Sequence, residues 1–183
     1  MRPNNRTKIL DAAVRIAERD GVGKLTLEAT AEEAGLTRGG MMYHFRDRDA
    51  LSLAVQEHVA AGWEAKLVAA AGKSADEATA AERVAAYISV ATTSSTHAEV
   101  ELVHAAGHEP VLREPLDRVR RRWSPSPDEA AADPESMRHF IACLAADGLW
   151  SYDSPGSRSL PSGLRATLAK RIIELAQLDG ERA

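Results

Sequence analysis

An all-α fold is the class this sequence predicts, and three observations predict it. Apolar residues recur every three or four positions through most of the chain. No alternating run rich in Val, Ile and Thr reads as a strand. The apolar stripes are separated by short clusters of Gly, Pro and Ser, which break helices. With 183 residues, of which 4% are aromatic, the chain is long enough to bury a sizeable core. Two small helical domains are expected, over 1–50 and 51–183.

The elements follow in order. A first helix runs from about Asn5 to Asp20, with Ile9, Ala13, Ile16 and Ala17 as its buried stripe and Gly21 and Gly23 ending it. Thr26 is placed to cap a second helix, in which Leu27, Thr30, Ala31 and Ala34 recur at helical spacing. Gly35 follows where a left-handed residue ends a helix, and Leu36 plugs the corner. Thr37 then caps a short third helix reaching about Tyr43, its hydroxyl accepting a free backbone N–H. A fourth helix starts near Asp47 and continues to about Ala70, ahead of the breaker Gly72-Lys73-Ser74.

Beyond it, Val84, Tyr87, Ile88 and Ala91 make one stripe, and Thr96 opens a short helix stopped by Gly107 and Pro110. Leu112, Leu116, Val119 and Trp123 fall at near-heptad spacing. Residues 124–133 read as the longest irregular segment. A helix restarts at Pro134 with Met137, Phe140, Ile141, Leu144 and Gly148 on one side. After a loop over 151–161, Leu164, Leu168, Ile172 and Leu175 mark the last helix.

Two helices joined by a tight Gly-containing turn form a helix-turn-helix, whose second helix can lie in the DNA major groove. Thr26, Ala34, Gly35, Leu36, Thr37, Arg38, Gly39, Tyr43, His44, Phe45, Arg48 and Leu51 together resemble the DNA-binding domain of the tetracycline-repressor (TetR) family, over about Arg6 to Val59. Met42 departs from the pattern, standing where the family commonly has Tyr. The resemblance implies a helix-turn-helix DNA-binding domain at 1–50. It also implies a helical ligand-binding and dimerisation domain at 51–183, and a regulator of transcription, expected to be a repressor released from its operator by a small molecule.

The residues supply chemistry for that expectation. Thr26 and Thr37 stand at helix starts, where hydroxyls and free N–H groups favour phosphate. Tyr43, His44 and Arg48 can contact the backbone as well. Arg38 suits a guanine edge, Met42 a thymine methyl, and Gly39 and Gly40 allow close approach to the groove. The formal net charge of −4 looks unfavourable for such a partner, but residues 1–50 carry nine Lys or Arg against eight Asp or Glu. DNA responds to the local face rather than to the total, and Arg2, Arg6, Lys8, Arg38, Arg46 and Arg48 can build one.

One recognition helix reads few base pairs, so a homodimer on a palindromic operator is expected, its recognition helices ~34 Å or more apart. Its interface candidates are Ala145 and Gly148, with Ala142 and Ala146 beside them, and Leu164, Leu168, Ile172 and Leu175. Those stripes can equally close an internal core. Candidates for a ligand pocket are Trp63, Leu67, Tyr87, Val103, Trp123, Met137, Phe140 and Ile141, each of which can also be plain core; an apolar or aromatic effector is the default.

His97, Glu101, His104 and His108 are spaced four, three and four residues apart, which suits either a first-row metal site or a polar solvent face. No cofactor is expected. The single cysteine, Cys143, reads as a small buried hydrophobe in a reducing cytoplasm; no apolar run reaches the ~20 residues of a membrane span, and the first residues lack the apolar core of a signal peptide. No nucleophile–base–orienter set or Gly-rich phosphate loop suggests an enzyme. A nucleoid or cell-division factor with the same head is the nearest alternative.

Overall fold

A computed structural model describes residues 5–93, 96–107, 109–152, 160–161 and 163–177, and among them regular structure is helical throughout. The helices are α1 (Asn5–Asp20), α2 (Leu27–Glu33), α3 (Arg38–His44), α4 (Arg48–Ala71), α5 (Ala80–Thr93), α6 (His97–Ala106), α7 (Pro110–Trp123), α8 (Pro127–Ala132), α9 (Pro134–Ser151) and α10 (Leu164–Gln177). A 3-10 turn over Val22–Lys24 joins α1 to α2. No helix among them is long and apolar enough to cross a membrane.

Local chemistry sets most boundaries. Thr26 accepts the Ala29 N–H at 3.1 Å and Thr37 the Gly40 N–H at 3.1 Å, so both short helices begin on a hydroxyl cap. Gly35 ends α2 at φ +66°, a backbone region costly for residues with a Cβ. Asp47 Oδ1 takes the Ala50 N–H at 2.8 Å and opens α4. Thr96 and Glu99 form a reciprocal capping box at the start of α6.

One expectation fails here. Residues 124–133 are not irregular, because α8 occupies Pro127–Ala132. Ser126 accepts the Glu129 N–H while Glu129 accepts the Ser126 N–H, and Pro127 sits at the first helical position, where its missing N–H costs nothing. Asp133 then caps α9 by accepting the Ser136 N–H at 2.7 Å.

The chain divides into two compact units. The first takes in residues 1–61 and 96–116, the second 62–95 and 117–183. A division at residue 50 would fall inside the first unit, because α4 extends its core and α6 joins it: Leu51, Ala54, Val55, Ala98 and Leu102 pack with Ile9, Leu10, Ala13, Leu25, Met41 and Phe45. Polar links reinforce α6 there. Ala98 N–H donates to Glu18 at 2.6 Å, Val22 N–H to Glu101 at 3.3 Å, and the buried Gln56 amide to the Leu102 carbonyl at 2.8 Å.

In the second unit α9 packs against α5, α8 and α10, and α10 also packs on α5. Arg165 ties α10 down by donating to the Thr92 carbonyl at 2.8 Å and the Leu149 carbonyl at 3.0 Å, near the C-terminal ends of α5 and α9. Free carbonyls there favour a cation.

Candidate nucleic-acid interface

Helix α3 is anchored by its underside. Met41 and Phe45 are buried in the first unit's core, while Tyr43, between them, is 85% exposed. Thr26, Thr37, Arg38, Gly39, Met42 and Arg48 are also exposed, and Gly40 and His44 are half-buried. Most of the candidate contacts on α3 and at the starts of α2 and α4 are thus exposed, while the core residues Met41 and Phe45 hold the other side of α3 inward.

Both glycines of α3 were candidates for close approach, and their surroundings differ. A Cβ built at Gly39 meets nothing within 4 Å, whereas one at Gly40 lies 3.4 Å from the capping Thr37 hydroxyl. Nothing in the fold requires glycine at 39.

Of two cationic groups near these starts, Arg6 was expected from the sequence and Lys24 was not. The Arg6 guanidinium sits 5.0 Å over the Phe45 ring, which seats a charge beside the end of α3. Lys24 is exposed and lines the same open hollow as Thr26; its position two residues before the cap is the signal that could have found it. Tyr43 and His44 meet edge to face, with ring centroids 5.1 Å apart. Arg46 pairs with neighbouring Asp47 at 2.9 Å, and Arg2 lies outside the described residues.

The pocket candidates have different surroundings. Leu67, Tyr87 and Trp123 are buried in the second unit, with Trp63 and Phe140 half-buried there. Val103 lies on α6, in the first unit. Met137 and Ile141 are 41% and 45% exposed, because the inner side of α9 is taken by His139, Ala142, Cys143, Ala146 and Leu149. The stripe that periodicity finds on α9 is therefore largely its outer side, with Met137, Ile141 and Leu144 exposed.

The same geometry sorts the interface candidates. Ala145 and Gly148 are exposed on α9, in line with Met137, Ile141, Leu144 and Tyr152. Ala142 and Ala146 face inward. On α10, Leu164 is exposed and Leu168 and Leu175 are half-buried. Ile172 is 8% exposed and belongs to the chain's own core rather than to an outer seam.

A polar centre lies inside the second unit. The Tyr87 hydroxyl donates to Asp147 Oδ1 at 2.7 Å, Arg120 pairs with the other oxygen of Asp147, and Trp63 packs edge-on to Tyr87 with centroids 5.2 Å apart. Burial pushes the Asp147 carboxyl above its ordinary value, against the pull of Arg120 and Tyr87. Burial, then the Asp147 charge, holds the Tyr87 hydroxyl well above its ordinary value. Cys143 is buried beside them, its thiol pushed up to about 12 by burial, which suits a packing role.

The histidine cluster on α6 is only partly described. Among the described residues no three His, Cys, Asp or Glu side chains converge on one point. Glu101 accepts the Val22 N–H at 3.3 Å, and His108 lies outside the described residues.

Comparison with known proteins agrees with this architecture. Residues 9–55 match the family model for bacterial regulatory proteins of the tetR family, and residues 81–177 match that for the tetracyclin repressor-like C-terminal domain. The chain belongs to the TetR family of transcriptional regulators and has its DNA-binding head. Among solved structures, a TetR-family transcriptional regulator from Rhodococcus sp. superposes with a TM-score of 0.69 at 20% identity, covering 95% of this chain and 97% of that one. The multidrug binding protein EbrR, complexed with imidazole, gives 0.62 at 23% identity and 99% of both chains. A TetR-family member from Streptomyces coelicolor gives 0.58 at 23%, covering 94% and 98%. No curated protein sequence matches significantly.

Proposed function

We propose that this chain is a dimeric, ligand-responsive repressor that leaves a palindromic operator when a small molecule binds its second unit. The observation that carries the DNA-reading part is the disposition of α3, with Met41 and Phe45 buried and Arg38, Gly39, Met42 and Tyr43 outward. On this reading Arg38 and Met42 meet base edges, while Thr26, Thr37, Tyr43, His44 and Arg48 meet phosphates.

The exposed apolar line on α9, through Ile141, Leu144, Ala145 and Gly148, supports pairing with a second copy; small residues let two helices approach closely and the larger ones fill the seam. Trp63, Leu67, Tyr87, Trp123 and Phe140 support an effector site in the second unit, as do the imidazole, ethidium and malachite green complexes of EbrR. An effector releases DNA only if it binds the DNA-incompetent state more tightly. The work is binding rather than turnover, in the cytoplasm where the DNA is.

Mapping bound sites across the genome tests this reading. A few palindromic promoter sites, with expression rising when the gene is deleted, are expected. Many dispersed sites without expression changes would instead indicate a nucleoid or cell-division factor.

A further inference from the structure

The first unit holds a pocket of its own. Its volume is about 720 Å³, and every residue that lines it belongs to that unit. Small-molecule sites span roughly 300–1,000 Å³. Val22, Leu25, Leu53, Val111 and Leu112 give it apolar walls. One polar side chain reaches it from the core: Gln56 lines the pocket yet is only 6% exposed. Its Nε2 donates to the Leu102 carbonyl at 2.8 Å. That bond fixes the amide's orientation, since a carbonyl needs the nitrogen facing it. Gln56 Oε1 is left without a donor among the described residues. Nor is it sealed in, because the described side-chain atoms both sealed and unmatched are Trp123 Nε1 and Arg138 Nε. The pocket is the opening through which Oε1 can be met. Ser52, one turn earlier on α4, lines it as well.

We infer that this pocket binds a small, neutral, apolar molecule carrying an N–H, which donates to Gln56 Oε1. The inference goes beyond the reading above, because it places a ligand in the first unit and requires nothing of the second. The lining selects the class. A buried acceptor without a partner calls for a donor. A carboxylate would set its lone pairs against Oε1. A cation would shed its water beside an uncharged amide; the carboxylates of the lining are either exposed, as Asp49 and Glu109 are, or engaged, as Asp47 is with Arg46 and the Ala50 N–H. The apolar walls favour an apolar body. Arg48 also lines the pocket, so the occupant lies beside a side chain read above as a phosphate contact.

The test titrates the full chain with two probes of one shape: indole, which has an N–H, and benzofuran, in which oxygen replaces it. Calorimetry should show indole binding about fivefold to tenfold more tightly, the worth of one hydrogen bond. Gln56→Met should remove that advantage and leave benzofuran unchanged. Should that variant not fold, the native chain supplies the readout. Its glutamines are Gln56 and Gln177, so 15N-glutamine labelling gives two side-chain amide signals. Indole should move the Gln56 signal and leave that of Gln177, at the end of α10, in place. Indole binding no tighter than benzofuran, an unmoved Gln56 amide, or an indole advantage that survives in Gln56→Met would overturn the inference. A mobility shift on genomic fragments, run without any probe, separates this site from the regulator: indole binding at Gln56 without sequence-selective DNA binding retains the site and removes the regulator.

Discussion

Tyr43 and Phe45 are two residues apart and meet opposite fates. Phe45 closes α3 in extended backbone and turns into the core, while Tyr43 stays on the helix's outer side. Core membership of one aromatic therefore says little about its neighbour. Gly39 gives a sharper case. Since its missing side chain has open space around it, Gly39→Ala should stabilise the isolated protein by up to about 1 kcal/mol. The same methyl should weaken operator binding if α3 enters the groove. A higher Tm with undiminished affinity would show that Gly39 does not meet DNA. Arg38→Ala should cost about 1–3 kcal/mol on the cognate site and relax preference at one base pair. Arg48→Ala should weaken all sequences alike and lower the slope of log affinity against log salt by about one. Titrations on cognate and random duplexes over a salt series distinguish the two arginines.

At the scale of elements, caps and breakers made the first five helices legible. Hydroxyl caps at Thr26 and Thr37 and the turn at Gly35 are local events, so the residues that cause them lie within a few positions. The helix α8 obeyed the same rule, but Ser124-Pro125-Ser126-Pro127 read as a loop by composition and hid the Ser126–Glu129 box within it. The start of α5 carries a testable example. Glu82 accepts the Lys73 ammonium at 2.8 Å and the Thr79 N–H at 2.8 Å, and these bonds, the lysine first, lower its pKa from the ordinary 4.5 to about 2. A carboxyl depressed on folding stabilises fully above its unfolded value and loses that contribution as pH falls through its folded one. The stability gap between the native chain and Glu82→Gln should thus be widest above about pH 4.5 and close near pH 2. Urea midpoints across that range measure it; a gap independent of pH would contradict the assignment.

For the whole molecule, the outer side of α9 bears on assembly. Leu144 is 52% exposed, in line with Ile141 and Gly148, so Leu144→Glu should leave the fold intact. If two copies meet on this face, each buries a charge there and the dimer should separate. Sedimentation velocity should show a dimer for the native chain and a monomer for the variant, with unchanged circular dichroism. A monomeric native chain would remove the symmetric-operator reading, since one α3 reads too few base pairs.

The amino-acid order by itself determined the helical class, the boundaries of the helix-turn-helix and the residues that α3 can offer to DNA, because capping, glycine turns and short-range periodicity act over one or two helical turns. Only the tertiary structure decided which side of α9 faces outward, that α6 joins the head, and that Trp123 is buried with its N–H unmatched. A helix lined by Ala, Leu, Met and Gly offers more than one apolar side. Which side is covered depends on partners distant in sequence, here α5, α8 and α10.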